Sequence, residues 1–170
     1  RIKIASSIPV ASGLGSGTSV SISMLQGISE FLGHPLLVED ISSYAFEIEK
    51  FYHGHPSGID NTVIAYETPI FFTREHPIEY ISIEHEFSLL LVDSGIKSHT
   101  SDVVNDVRSK WLESKVALEV IFSKIGEITI NARTKLSNGD LTKLGTLMSE
   151  NHQLLKKLDV ETVNLLRLIY

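Results

Sequence analysis

The spacing of apolar side chains predicts a strand followed by two helices in the first third of the chain. Residues 1–5 alternate polar and apolar positions, which is typical of a half-buried strand. Residues 20–31 are apolar on most sides, so we predict a helix packed deep in a domain. Residues 38–52 repeat apolar positions at helical spacing and predict a second helix, with Glu49 on the shoulder of its buried face. Periodicity alone suits two roles for Glu49 equally, a solvated edge or a carboxylate that reaches a cleft.

The pattern changes from mixed to helical along the chain. Short strands are predicted at residues 69–73, 78–83 and 87–93, the last from a continuous apolar run. Later helices are predicted at residues 101–135, 141–157 and 161–170, with a break at residues 137–140. Five apolar residues of the first of these helices are predicted to lie in the core: Trp111, Leu112, Val116, Leu118 and Phe122. This order predicts an α+β fold that changes character near Ser94.

Composition excludes several classes of function but does not identify a single one. The chain has 170 residues and is 42% hydrophobic, which is enough for a sizeable core. With 15 basic and 21 acidic residues, its net charge of −6 favours neither nucleic acid nor an anionic membrane as a partner. No cysteine is present, so disulfides and thiolate metal sites are excluded. No apolar run approaches the ~18 residues that a membrane span requires.

A turn rich in glycine and hydroxyl side chains joins the predicted first strand to the predicted first helix. Gly13, Gly15 and Gly17 let main-chain N–H groups approach a ligand, and the helix that follows has unpaired amides at its N-terminus. Such a turn can bind phosphate without any lysine or arginine. A tight connection with a simple helix cap remains the alternative. The spacing matches neither the P-loop nor the G-x-G-x-x-G motif.

The turn resembles a motif of a known kinase family. Pro9-x-x-x-Gly13-Leu14-Gly15-Ser16 is similar to the second motif of the GHMP small-molecule kinases. That motif usually continues with a second serine, described as a magnesium and phosphate contact, where this chain has Gly17. Ser16 and Thr18 are the candidates to supply the hydroxyl instead.

A second resemblance covers residues 53–61, His-Gly-His-Pro-Ser-Gly-Ile-Asp-Asn. Ser57-x-x-Asp60 also fits a helix capping box, and in that case neither residue does chemistry. The segment resembles the signature of the mevalonate kinase branch of the GHMP kinases, which is preceded by a glutamate at the position of Glu49. Similarity continues in residues 89–95, 98–100 and 151–152.

The resemblance assigns roles to individual residues. It implies that Asp60 is the catalytic aspartate and that Glu49, together with Ser16, binds Mg²⁺. It places His53, Ser57 and Gly58 at the acceptor substrate. The ATP phosphates are expected on seven residues of the turn: Gly13, Leu14, Gly15, Ser16, Gly17, Thr18 and Ser19. Phosphoryl transfer depends on positioning and charge neutralisation, which agrees with these assignments.

The resemblance also implies a fold, a reaction and a location. Residues 1–94 are expected to form part of a ribosomal-protein-S5-like α/β domain, and residues 95–170 the helical start of the C-terminal domain. The expected reaction is ATP- and Mg²⁺-dependent phosphorylation of the primary alcohol of mevalonate to 5-phosphomevalonate, a step of isoprenoid biosynthesis in the cytoplasm. Because flanking motifs of the family are missing, we expect a fragment of a longer protein, poorly active by itself. The sequence leaves open whether the protein forms a homodimer.

Two alternative functions remain at this point. One is a GHMP kinase with a different small alcohol or phosphate acceptor. The other is a non-catalytic domain of the same fold that binds anions, in which Gly17 marks a lost metal contact.

Overall fold

The computed structural model describes residues 1–10, 12–54, 56–83, 85–92 and 100–160, without the side chains of residues 53 and 100. The chain divides into two compact units, Arg1–Tyr80 and Ile81–Tyr170. The predicted domain boundary between residues 94 and 95 lies outside the described residues and stays a prediction.

Three helices that pack pairwise make up half of the first unit: α1 at Ser16–Phe31, α2 at Val38–His53 and α3 at Ile59–Tyr66. They confirm the helices predicted at residues 20–31 and 38–52. Their core is a small apolar cluster of Ile22, Ile41, Ala45 and Ala65. Two of these four side chains are alanines, one on α2 and one on α3, and polar side chains of these two helices form hydrogen bonds to each other.

The sheet of the first unit is small. Strand β1, Ile70–Phe71, pairs antiparallel with β2, Glu79–Tyr80, in the register Ile70 to Tyr80. The ring of Tyr80 lies 6.3 Å from that of Tyr66 at the end of α3, which holds the hairpin against the helix. Together with the helices this gives a predominantly helical α+β arrangement, and the predicted class is confirmed. The strands predicted at residues 69–73 and 78–83 form, but shorter.

Two predicted strands are wrong. Residues 1–5 and 87–92 are in no strand, and their apolar side chains, including Ile2, Ile4 and Leu90, are largely exposed. Alternation or an apolar run gives a segment the side-chain pattern of a strand, but a strand also needs a neighbour for its backbone hydrogen bonds. Within the part of the chain that the structure describes, no strand pairs with either segment.

The second unit is helical: α4 at Thr100–Glu113, α5 at Lys115–Ser137, a 3₁₀ turn at Leu141–Lys143 and α6 at Leu144–Lys157. The single helix predicted over residues 101–135 is wrong, because the backbone of Ser114, with φ −138° and ψ 53°, interrupts it. The predicted break at residues 137–140 is confirmed. The helix predicted at residues 161–170 lies outside the described residues. None of the described helices has the length and apolar character to span a membrane.

The core predicted for the second unit is only partly confirmed. Leu118 is buried and Trp111 half-buried, but Leu112 is 70% exposed and Val116 is 78% exposed. Phe122 is also exposed. Helical spacing puts side chains on a common face, but burial requires a neighbouring element over that face.

Candidate active site

Helix α1 begins at the glycine turn without a side-chain cap. Gly15 is the N-cap residue, with φ 67° in the left-handed region, and its carbonyl accepts the first helical hydrogen bond from the N–H of Ser19 at 2.9 Å. No side chain accepts a hydrogen bond from the cap. The first-turn amides of α1 therefore point out of the helix with the positive end of its dipole, as an anion-binding turn requires.

The glycine turn is held against α3. A Cβ atom added to Gly15 would lie 2.8 Å from the Cδ1 atom of Ile64, closer than side-chain carbons approach in folded proteins. Gly13 and Gly17 have open space at the same position. Gly15 is therefore the glycine of this turn at which a side chain would both strain the backbone and displace the terminal methyl group of Ile64.

Helix α2 brings a buried carboxylate to the start of α1. Glu49 is 6% exposed, and the hydroxyl of Thr18, in the first turn of α1, donates a hydrogen bond to its Oε1 atom. Ser16, the hydroxyl predicted to bind metal beside Glu49, makes no hydrogen bond to it among the described contacts. The geometry therefore favours Thr18 over Ser16 as the hydroxyl that replaces the one missing at Gly17.

The charge of Glu49 has no basic partner among the described ion pairs. Lys50, the next residue, binds Glu47 at 2.6 Å on the exposed side of α2. An ionised carboxylate in a buried position is unfavourable unless it is paired, hydrogen-bonded or bound to a metal. With one neutral hydroxyl as its hydrogen-bond partner, Glu49 is suited to accept a cation.

Asp60 stands in the first turn of α3 with an exposed side chain. It lies four residues before Ile64, so the two share one face of α3, one turn apart. Ile64 contacts the glycine turn at Gly15. Asp60 thus projects from the side of α3 that faces the glycine turn.

The capping box expected at residues 57–60 is not formed. Gly58, with φ 92°, is the N-cap of α3 and has no side-chain cap hydrogen bond. The Oγ atom of Ser57 accepts a hydrogen bond from the N–H of Ile59 at 3.3 Å, and Asp60 does not reach back. A Cβ atom at Gly58 would be 3.3 Å from the ring of Phe72. The side chain of His53 lies outside the described residues.

Two polar residues that the sequence reasoning missed anchor α3 to α2. The Nδ2 atom of Asn61 donates to the carbonyl oxygen of Ser42 at 3.0 Å and to its Oγ atom at 2.9 Å. Asn61 is 4% exposed, and Ser42 is also buried. The available signal was spacing, since Ser42 lies seven residues before Glu49, two helical turns along the same face of α2.

The potential metal ligands of this site are oxygen atoms. Glu49 supplies a carboxylate and Thr18 a hydroxyl, and Mg²⁺ typically takes one or two carboxylates, water and substrate phosphate oxygens. No group of three or more histidine, cysteine, aspartate or glutamate side chains forms a metal cluster among the residues that were described. The donors present therefore fit Mg²⁺ held jointly with a nucleotide and do not form a complete protein cage.

Comparison with known proteins agrees with the residue-level resemblance. Residues 1–68 match the family described as GHMP kinases N terminal domain. The chain is 32% identical over 176 residues to a mevalonate kinase of Pyrococcus horikoshii, covering 99% of this chain and 51% of that protein. It is 31% identical over 170 residues to a mevalonate kinase of Aeropyrum pernix, covering 99% of this chain and 52% of the relative.

A solved structure shows the same relationship. The crystal structure of L. major mevalonate kinase in complex with R-mevalonate is similar with a TM-score of 0.78 and 32% sequence identity, over 88% of this chain and 47% of that one. The chain spans about half the length of the curated relatives it matches. The predicted GHMP kinase fold is confirmed: residues 1–68 belong to the GHMP kinase N-terminal domain family, and the chain is homologous to mevalonate kinases over nearly its whole length.

Proposed function

We propose that this chain carries the phosphate-binding, metal-binding and proton-accepting groups of an ATP-dependent kinase that phosphorylates the primary alcohol of mevalonate. The observation that carries the proposal is the contact between Thr18 and Glu49, which brings a buried carboxylate to an uncapped helix N-terminus behind a glycine turn. A capped turn or a solvated Glu49 would have supported a purely structural reading.

The glycine turn would hold the phosphates of ATP. Residues 13–19 combine left-handed glycines, free first-turn amides and hydroxyl side chains. Backbone amides at a helix N-terminus bind phosphate through hydrogen bonds and the helix dipole. Gly17 has no side chain, and no atom lies within 4 Å of the position that its Cβ would occupy, so nothing crowds a phosphate on that side of the turn.

Glu49 and Thr18 would bind Mg²⁺ beside those phosphates, with Ser16 as the alternative hydroxyl. Mg²⁺ supplies charge neutralisation for the transferring phosphoryl group. Glu49 suits this role because its carboxylate is buried, accepts a hydrogen bond on one oxygen and has no basic partner among the described ion pairs. Removing the charge of Glu49 should therefore weaken metal-dependent nucleotide binding more than it weakens folding.

Asp60 would orient the acceptor hydroxyl and accept its proton. As the hydroxyl oxygen forms its bond to the γ-phosphorus, the bond from that phosphorus to the ADP oxygen breaks and the hydroxyl proton passes to the carboxylate. An exposed carboxylate on the face of α3 nearest the glycine turn can reach a substrate hydroxyl there. His53, Ser57 and Gly58, just before Asp60, would line the acceptor site.

The acceptor is inferred from the relatives. The matched proteins are named mevalonate kinases, and the L. major structure contains R-mevalonate. The net charge of −6 favours a small-molecule acceptor over nucleic acid. A cytoplasmic location, a homodimer and the division into residues 1–94 and 95–170 belong to the same proposal.

The test is ADP formation in the presence of ATP, Mg²⁺ and mevalonate, using the natural polypeptide that contains this sequence. Asp60→Asn should lower kcat by at least about a hundredfold with little change in nucleotide affinity. Asp40→Asn is the matched control, because Asp40 is also an exposed acid in the first turn of a helix. Full turnover by Asp60→Asn, or an equal loss in the control, would refute the assignment.

A matched pair also tests the metal site. Glu49→Gln should raise the Mg²⁺ concentration needed for half-maximal activity. Glu47→Gln removes a carboxylate from the exposed side of the same helix, where it binds Lys50, and should leave that concentration unchanged. Equal responses of the two variants would show that Glu49 does not bind the metal.

One observation favours a second candidate, a domain of the same fold that binds nucleotide without turnover. Gly17 brings no hydroxyl to the first turn of α1, although a side chain there would have room. Nucleotide binding without ADP formation for mevalonate or for a panel of other small alcohols would select this candidate. ADP formation with another alcohol would instead identify a kinase with a different acceptor.

A further inference from the structure

The position of Asp60 is set by the backbone of α3. Asp60 has no hydrogen bond or ion pair among the described contacts, so none of the described side chains orients its carboxylate. Helix α3 has eight residues, well below the ~12–15 at which isolated helices become even marginally stable in water. Its orientation must therefore come from tertiary anchors.

We infer that Asn61 is the positioning residue for Asp60, an inference that rests on the proposed kinase function. Asn61 directly follows Asp60, and successive residues are separated by about 100° around a helix. With the amide of Asn61 bonded inward to Ser42, rotation of α3 about its axis is blocked, and Asp60 is held at one angle on the neighbouring face.

The geometry of the amide suits this task. Its Nδ2 atom has two N–H groups, and the two acceptors are the carbonyl and the hydroxyl oxygen of one residue, Ser42. A two-point contact fixes direction as well as distance. The other buried polar group of this turn, Thr62, bonds to the carbonyl of Gly58 within the same segment at 2.6 Å and cannot orient α3 against α2.

The same face of α2 also carries the proposed metal ligand. Ser42 and Glu49 are seven residues apart, which is about 10 Å along a helix and nearly the same direction around it. Ala45 lies between them with no exposed surface, so this face of α2 is packed in the core along the stretch from Ser42 to Glu49. Asn61 therefore sets the position of Asp60 relative to Glu49, the two acids that the proposed reaction requires.

Asn61 bonds to Ser42 although one of its own side-chain atoms has no partner among the described residues. The Oδ1 atom of Asn61 is buried without a hydrogen-bond partner among the described residues. Leaving a buried acceptor unpaired is unfavourable, and such atoms in folded proteins call for an explanation. The donor pair of the amide supplies one, because an apolar residue of similar size would remove the unpaired oxygen but also both bonds to Ser42.

The experiment compares Asn61→Ala with a control that removes an equally buried polar group elsewhere in the unit. Ser29 is suitable, because its Oγ atom donates to the carbonyl of Gln26 at 2.9 Å and accepts from the N–H of Leu36 at 3.4 Å. For Asn61→Ala we expect kcat, corrected for the folded fraction, to fall at least about tenfold with the nucleotide KM unchanged. Ser42→Ala keeps the carbonyl acceptor and should give a smaller loss. Ser29→Ala should leave the corrected kcat within about twofold.

A double-mutant cycle separates positioning from general structure. If Asn61 acts through Asp60, Asn61→Ala should have no further effect on kcat in the Asp60→Asn background. Multiplying effects, or equal losses from Asn61→Ala and Ser29→Ala, would overturn the inference while leaving the kinase function intact. Full turnover by Asp60→Asn alone would instead refute the proposed function, and the inference with it.

Amide hydrogen exchange decides the matter where Asp60→Asn turnover is below detection. Asn61→Ala should accelerate exchange in α3 at least about tenfold relative to α1, since the anchor of a short helix is removed. Ser29→Ala should not change that ratio. Unchanged protection of α3 in Asn61→Ala would overturn the inference.

Discussion

Alanine substitutions at the three glycines of the turn should have graded and opposite effects on stability. Gly13 and Gly15 have φ values of 76° and 67°, in the region where a residue with a Cβ atom costs roughly 1–2 kcal/mol. Gly17 lies in the first turn of α1 with an ordinary φ and open space. We therefore expect Gly13→Ala to destabilise by about 1–2 kcal/mol and Gly17→Ala to stabilise by up to about 1 kcal/mol.

Gly15→Ala should be the most destabilising of the three because it adds a steric conflict to the same backbone strain. The new Cβ atom would lie 2.8 Å from the Cδ1 atom of Ile64 and 4.0 Å from its Cγ1 atom. Because the obstructing atom is the terminal methyl group of Ile64, which can shift, the added cost should lie at the low end of the about 1–3 kcal/mol typical of inserting a methyl group into an occupied space. The total for Gly15→Ala is then about 2–3 kcal/mol.

The conflict can be tested separately by shortening Ile64. Ile64→Val removes the Cδ1 atom and by itself should cost about 0.5–1.5 kcal/mol. In the Gly15→Ala background it should relieve the contact, so the double variant should be at least about 1 kcal/mol more stable than the sum of the single changes. The left-handed backbone strain would remain.

Urea unfolding followed by far-UV circular dichroism measures these differences. The single tryptophan, Trp111, belongs to the other unit, so its fluorescence does not report on the turn. If Gly15→Ala is no more destabilising than Gly13→Ala, or if Ile64→Val and Gly15→Ala are additive within about 0.5 kcal/mol, then the turn does not pack against α3 as described.

Three further predictions concern other contacts. Thr18→Val removes the hydroxyl that donates to buried Glu49 and should lower the free energy of unfolding in urea by about 1–3 kcal/mol. The same substitution should cost less in the Glu49→Gln background. A loss below about 0.5 kcal/mol would contradict the contact. The hydrogen bond from Lys135 lowers the pKa of Asp140, so the stabilisation from this contact should be full above about pH 4 and disappear as the pH falls through the folded pKa of Asp140. The urea midpoints of wild type and Asp140→Asn should therefore differ at neutral pH and converge in acid. A difference that stays constant with pH would refute this prediction. Because Phe31 is 89% exposed, Phe31→Glu should change the free energy of unfolding by no more than about 0.5 kcal/mol and should reduce the binding of a hydrophobic dye. Loss of cooperative unfolding in this variant would show that the ring is buried.

Local patterns were sufficient for the first two helices and the glycine turn. Apolar spacing predicted residues 20–31 and 38–52 as helices, and both lie within observed helices. The glycines between residues 13 and 17 predicted a turn leading into a helix, and Gly13 and Gly15 adopt the left-handed backbone that glycine permits. These features depend on residues close in sequence, so a reading of the chain in order can find them.

Strands and helix breaks were predicted less well because their causes lie elsewhere in the chain. Residues 1–5 have the alternation of a strand, but pairing depends on a partner that alternation does not specify. The interruption at Ser114 has neither proline nor glycine to mark it. Exposure of Leu112 and Val116 likewise depends on which faces of the helices are covered.

The sequence by itself determined which acids and glycines are present, placed Glu49 on the second predicted helix, and indicated the family through its motifs. Only the tertiary structure decided that Glu49 is buried against Thr18, that Asp60 lies on the face of α3 nearest the glycine turn, and that Asn61 holds α3 against α2. The physical reason is distance along the chain. Helical periodicity gives the direction of a side chain around its own helix, whereas the contact between residues 18 and 49 arises only when α1 and α2 pack against each other.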